Sequence, residues 1–200
     1  MGLSFPKIVL ASFNRDKVRE LRALLARYHV DVLGLYEVAG SSAPAESGKT
    51  VAENALIKAR AAFQLTGLPT IADDTGLEVD ALGGLPGIFA ARFAGAGASY
   101  RDNLLLLLER LENVPLARRT ARFRTACAAV LRKGRELTAE GVLEGRITLE
   151  PRGSEGFGYD PVFEVGTTGR TLAEMSAPEK NRISHRALAM KNLVTLLELE

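Results

Sequence analysis

Cysteine, histidine and long apolar runs are all scarce in this sequence. One cysteine, Cys127, stands among 200 residues. No internal disulfide can form, which fits a reducing cytoplasm. Two histidines, His29 and His185, and that lone cysteine cannot build a zinc centre of Cys and His ligands. Cys127 is also a poor nucleophile, because it lies mid-strand in an apolar setting with no adjacent basic residue to make it a thiolate. The leucine run Leu104 to Leu108 falls far below the ~20 residues that a membrane helix needs. Ile8 to Ala11 is too short for a signal-peptide core and reads as a strand. No segment is expected to enter a membrane. An excess of one charge is missing too. Net charge is +2, far from the balance of a dedicated nucleic-acid binder. There is no internal repeat and no low-complexity tract.

What is present is ordinary globular composition, 46% hydrophobic and 25% charged, in a length that suits one domain over residues 1–200. The run Ile8–Ala11 is of the kind buried in a parallel or mixed sheet. Asn14 is a candidate cap for a helix on which Val18, Leu21, Leu24 and Leu25 recur. Val30 to Leu33 predicts a second strand, and Ala39 to Lys49 a loop. Thr50 and Glu53 predict a capping box opening a helix whose apolar face is Ala55, Leu56, Ala59, Ala62 and Phe63. Gly67 and Pro69 end it. Thr70-Ile71-Ala72 predicts a short strand that delivers Asp73 and Asp74 at its end. Gly83 to Gly87 is an ordered turn, and Ser99 with Asp102 starts the helix through Leu111. Ala121–Leu131 and Leu137–Leu149 predict two strands joined at Lys133-Gly134-Arg135, with Phe123, Thr125, Cys127 and Ala129 on one face. Val162 to Val165 is strand-like. A final helix from about Ser184 carries Ala187, Met190, Val194 and Leu197 on one stripe. Interleaved helices and strands followed by a long hairpin indicate an α/β domain with a mixed sheet.

Four groups of residues bear chemistry. Ser12-Phe13-Asn14-Arg15-Asp16-Lys17 joins a strand to a helix, where backbone N–H groups and the helix dipole suit a phosphate. Read alone, it is also a plain helix cap with a solvated lysine. Asp73-Asp74-Thr75-Gly76 places two carboxylates side by side, an awkward arrangement unless a cation intervenes or one takes a proton. Magnesium, which favours hard oxygen ligands, answers that need, and an acidic turn closed by Gly76 is the bland alternative. Phe157-Gly158-Tyr159-Asp160 combines aromatics, a glycine and a carboxylate, able to stack on a base or to anchor a turn. Lys180, Ser184, His185 and Arg186 surround a helix start, where cations oppose the dipole.

These segments, in this order, resemble the inosine triphosphate pyrophosphatase family over nearly the whole chain. Ser12 to Lys17 matches its Ser/Thr-x-Asn-x-x-Lys motif, and TVAENALIKAR from Thr50 matches its second helix. IADDTGLEVDALGGLPGIFAARFAG from Ile71 is the longest match, followed by FGYDPVF from Phe157 and the stretch from Glu179 to Arg186. The resemblance implies an elongated mixed α/β sheet flanked by helices, with two lobes around a central active-site cleft and homodimeric assembly. It also implies magnesium-dependent hydrolysis of ITP, dITP and XTP to the monophosphate and pyrophosphate, a house-cleaning of deaminated purines. By resemblance Asp74 is the catalytic carboxylate and a metal ligand, with Asp73 beside it. Ser12, Phe13, Asn14, Arg15, Asp16, Lys17, Lys58 and Thr75 line the triphosphate. Phe157, Gly158, Tyr159, Asp160, Lys180, His185 and Arg186 hold base and sugar. Phe13 stands where the family commonly has glycine, and Thr75 where serine is frequent. Ala45 falls where some members place a glutamate near the metal, and the adjacent Glu46 is the substitute metal ligand. The alternatives are a Maf-like nucleotide pyrophosphatase with another base preference, or a nucleotide sensor without catalysis. No nucleic-acid or membrane partner is expected.

Overall fold

The computed structural model describes residues 5–38, 46–166 and 168–198. The stretch 39–45, including Ala45 and most of the expected glycine- and serine-rich loop, lies outside the described residues. Strands β1 (Lys7–Leu10), β2 (Asp31–Gly34), β3 (Thr70–Val79), β4 (Pro86–Gly87), β5 (Thr120–Val130), β6 (Glu136–Ile147) and β7 (Phe163–Val165) form one sheet. Its order is β2-β1-β3-β5-β6-β7, with β4 paired to β3 alone. The strand β1 runs parallel to β2 and β3, while β4 is antiparallel to β3 and β7 to β6. The sheet is therefore mixed, as the sequence pattern requires. The helices are α1 (Arg15–Leu25), α2 (Leu35–Val38), α3 (Val51–Thr66), α4 (Tyr100–Arg110), α5 (Ala177–Ile183) and α6 (His185–Glu198). None of the helices among the described residues is long and apolar enough to cross a membrane.

The chain divides into two compact units. Unit 1 comprises Met1–Asp74, Thr125–Gly141 and His185–Glu200. Its core joins Ile8, Leu10 and Ile71 of β1 and β3 to Val18, Leu21 and Leu25 of α1 and to Met190, Leu193 and Val194 of α6. Cys127 and Ala129 of β5 belong to the same cluster. Burial pushes the Cys127 thiol far above its ordinary value, so it stays protonated. The opposite face of β5 is buried as well, since Ala126 and Ala128 are inaccessible. The expected alternation is present, but in small residues on both sides of a central strand.

Unit 2 comprises Thr75–Arg124 and Val142–Ser184. Its core is built from Leu77, Val79, Leu104, Leu107, Leu111, Phe123, Phe163 and Leu172 among others. The α4 capping box forms between Ser99 and Asp102. The buried Arg119 guanidinium donates to the carbonyls of Leu111, Val114 and Thr148, closing the turn that follows α4.

Local signals hold with two corrections. Thr50 caps α3 by accepting from the Glu53 N–H at 3.1 Å, but the Glu53 carboxylate accepts from Lys49 N–H at 2.6 Å instead of completing the box. The strand β3 does not stop at Ala72. It continues through Asp73 and Asp74 to Val79, because both carboxylates find partners without leaving the sheet.

Gly141 lets α6 approach β6. A Cβ there would lie 2.3 Å from both the Ala189 nitrogen and the His185 carbonyl oxygen. Both are backbone atoms of a helix and cannot swing aside. Gly141→Ala should destabilise the protein by about 1–3 kcal/mol, the usual range for overpacking, as a lowered urea midpoint would show.

Candidate active site

Consecutive residues of a strand point to opposite faces. In β3 this sends the two adjacent carboxylates to different helices. Asp73 shares the side of Ile71, toward α1 and α6. Its Oδ2 is 3.0 Å from Lys17 Nζ of α1 and accepts from Arg186 Nε of α6 at 3.1 Å. Asp74 faces α3, where its Oδ1 accepts from Lys58 Nζ at 2.6 Å and its Oδ2 from Asn54 Nδ2 at 3.4 Å. Lys58 is also 3.3 Å from Glu46 Oε1, so one ammonium serves two carboxylates. All these residues belong to unit 1.

The electrostatics of the two carboxylates diverge. Burial acts to raise the Asp73 carboxyl, but the charges of Lys17, Arg186 and Lys58 outweigh it and hold the group far below its usual range. At Asp74 burial wins. The ammonium groups of Lys58 and Lys17 offset it only in part, and the carboxyl lies above its ordinary value. Lys17 is shifted down, because burial exceeds the pull of Asp73. Lys58 is shifted up, since Asp74 and Asp73 exceed its burial.

This arrangement suits a hard divalent cation. Asp74 is a buried carboxylate that Lys58 and Lys17 do not fully compensate, and Glu46 shares Lys58. No group of three or more acidic, His or Cys side chains placed to hold a metal exists among the described residues. Magnesium does not need one, because it keeps several waters and binds through one or two carboxylates plus substrate phosphates.

The segment Ser12 to Lys17 forms the expected strand-to-helix junction. Asn14 caps α1, accepting from the N–H groups of Asp16 at 3.0 Å and Lys17 at 3.3 Å. Two of the N–H groups available to an anion are thus held by the cap itself. Ser12 Oγ accepts from Asn14 N–H, Asp16 pairs with Arg19, and Arg15 lies over the Tyr36 ring. Phe13 is half-buried beside them. In unit 2, Thr75 follows Asp74 on β3.

The aromatic loop also belongs to unit 2. Asp160 is buried, accepting from Phe157 N–H at 2.8 Å and from Lys180 Nζ at 2.5 Å. Gly156 packs so tightly on this carboxylate that a Cβ would fall 2.1 Å from Asp160 Oδ2. Tyr159 turns inward and donates its hydroxyl to the Ala90 carbonyl, while Phe157 is half-buried with Lys180 Nζ 5.0 Å from its ring centroid. Gly158 separates the two aromatics at a φ of 65°.

His185 and Arg186 open α6 in unit 1 and are both buried. His185 Nδ1 is 2.6 Å from Thr125 Oγ1. Arg186 Nη1 donates to Glu20 at 2.5 Å while Nε takes Asp73. Arg186, the guanidinium that opposes the α6 dipole, is thus held by two carboxylates, and the His185 ring has a hydroxyl partner. Lys180 sits in α5, a short helix that the sequence pattern did not foretell, and Ser184 separates it from α6.

The Ham1 family model matches residues 8–196. The chain belongs to the Ham1 family. It is 50% identical to a dITP/XTP pyrophosphatase of Symbiobacterium thermophilum, over 98% of this chain and 99% of that protein. It is 48% identical to the dITP/XTP pyrophosphatase of Escherichia coli O157:H7, over 96% and 98% respectively. Among solved Ham1 structures, that of Coxiella burnetii is 41% identical with a TM-score of 0.85, covering 97% of this chain and 99% of that one. The Staphylococcus aureus Ham1 protein gives 37% and 0.83, over 96% and 98%. The resemblance drawn from the five motifs is borne out.

Two residues of this buried cluster escaped the sequence reading. Asn54 is fully buried, linking Asp74 to the loop after Glu46 by accepting from Gly48 N–H at 2.9 Å. Glu20 anchors Arg186. Each lies one helical turn from a lysine already singled out, Asn54 from Lys58 and Glu20 from Lys17, and that spacing was the available signal. Arg186→Ala should cost about 3 kcal/mol of stability, near the lower end for breaking a buried ion pair, because Asp73 keeps Lys17. Urea denaturation measures it, and Glu20→Gln should cost less.

Proposed function

We propose that this protein hydrolyses deaminated purine nucleoside triphosphates, ITP, dITP and XTP, to the monophosphate and pyrophosphate, clearing them from the nucleotide pool. The observation that carries the reading is the pair Asp73–Asp74 in mid-strand, one carboxylate locked by two cations and the other left with partial compensation. The relatives named dITP/XTP pyrophosphatase support the same chemistry. The family match runs through both units, so we take residues 1–200 as one functional domain.

Asp74 is assigned the catalytic part. A carboxylate in this position can orient or deprotonate the attacking water, directly or through the metal. Asp73 serves by holding Lys17, whose charge, with that of Lys58, neutralises phosphate oxygens as the α–β bridge breaks. Asp74 and Glu46 are the assigned ligands of magnesium, which when bound supplies further charge neutralisation to the triphosphate. Ser12 to Lys17 and Thr75 are assigned to the phosphates. Phe157, Gly158, Tyr159, Asp160, Lys180, His185 and Arg186 are assigned to base and sugar, Arg186 acting in addition through Asp73.

Selection among purines is a hydrogen-bond matter. Hypoxanthine and xanthine carry an acceptor oxygen at position 6, where adenine carries an amino donor. A buried donor left facing adenine loses roughly 1–3 kcal/mol, which is about one to two powers of ten in kcat/KM. A homodimer in the cytoplasm completes the proposal. It rests on the family likeness and on a lone buried cysteine with no second cysteine to pair with.

The testing experiment measures pyrophosphate release from ITP, dITP, XTP, GTP and ATP with and without magnesium. The expected result is preference for the first three over ATP, the one nucleotide of the five without the 6-oxygen, and loss of activity on chelation. Full turnover of ITP in metal-free buffer, or equal turnover of ATP, would overturn the assignment, and binding without pyrophosphate release would make the protein a sensor. In the same assay, Asp74→Asn should lower kcat at least ~10²-fold while nucleotide binding survives better. Near-normal turnover would move the chemistry to another carboxylate.

A further inference from the structure

Tyr100 is the first residue of α4, set there by the Ser99–Asp102 capping box. Its ring centroid lies 5.6 Å from that of Phe157, with the planes tilted by 35°. The spacing is that of a favourable aromatic pair. The residue nonetheless stays substantially in solvent, at 43% exposure, so core packing does not account for its place. Phe157 itself lies between two left-handed glycines, Gly156 at φ 75° and Gly158 at φ 65°. Glycine adopts such backbone without strain, which lets the chain turn on both sides of the ring. Three contacts bear on how the ring is held. Asp160 holds its N–H, Lys180 lies over its ring, and Tyr100 stands beside it on a capped helix. All of these residues belong to unit 2.

We propose that Tyr100 is a positioning residue for base recognition, holding the Phe157 ring at the tilt in which it receives a purine. This rests on the assignment of Phe157 to the base. Tyr100 acts through Phe157 and takes no part in phosphate chemistry. Its loss should therefore weaken binding of anything with a purine ring and leave binding of the phosphates alone.

The experiment compares wild type, Tyr100→Ala, Tyr100→Phe and Phe157→Ala with ITP as substrate, and with inosine monophosphate and inorganic pyrophosphate as inhibitors. Tyr100→Ala should raise KM for ITP and the inhibition constant for inosine monophosphate roughly 3- to 10-fold, the size of one aromatic pair. It should lower kcat by a smaller factor and leave inhibition by pyrophosphate as in wild type. Tyr100→Phe, which keeps the ring, should restore both purine constants. Unchanged purine constants in Tyr100→Ala would overturn the inference alone if Phe157→Ala raises them, and the Phe157 assignment with it if Phe157→Ala leaves them unchanged too. So would a parallel loss of pyrophosphate inhibition, or failure of Tyr100→Phe to rescue, since either marks a general structural role. Absence of ITP hydrolysis by the wild type would overturn the functional assignment and this inference with it.

Discussion

Two carboxylates side by side in the middle of a strand are the constraint around which unit 1 is organised. Neither can be buried as a bare anion, and the pleat turns them to opposite faces, so their direct ion pairs are made to different cations. Each face must bring its own cation. Helices α1 and α6 bring Lys17 and Arg186 to Asp73, and α3 brings Lys58 to Asp74. The partners of those cations follow in turn. Arg186 takes Glu20, and Lys58 takes Glu46. Much of the buried polar material of unit 1 is a consequence of putting Asp73 and Asp74 in β3.

The outcome is asymmetric, and the asymmetry is useful. Asp73 receives two cations on one oxygen and becomes a fixed negative charge. Asp74 receives one lysine, shared with Glu46, and an amide. A group that is over-compensated holds its neighbours still, while one that is under-compensated attracts further positive charge or a proton. Adjacent residues of one type thereby acquire different chemistry from the helices packed on either side.

Much of this was legible in the sequence. The Asn14 and Thr50 caps, the Gly67 stop and the hairpin at Lys133 to Arg135 are signalled by local residues, and the structure keeps them. The stripe Ala187, Met190, Val194 and Leu197 is buried as its spacing requires. Other features are not local. That β3 runs on to Val79 depends on cations from α1, α3 and α6, which no window around Asp73 contains. The pairing of Glu53 with Lys49 rather than Thr50 turns on one residue of loop geometry. The Arg186 network joins residues up to 166 positions apart in the chain, a separation that periodicity does not register.

The pairing of β1 with β3, Val9 opposite Thr70 and Leu10 opposite Ile71, looks like scaffold only. It fixes which carboxylate faces which helix. A slip of one residue would exchange the faces, handing Asp74 to Lys17 and Arg186 and leaving Asp73 with the single lysine of α3. The division of labour between the two acids is thus written in strand alignment as much as in side-chain identity. Length changes in the turn from Gly67 to Pro69 therefore bear on the partners of both carboxylates, although that turn lies outside β3.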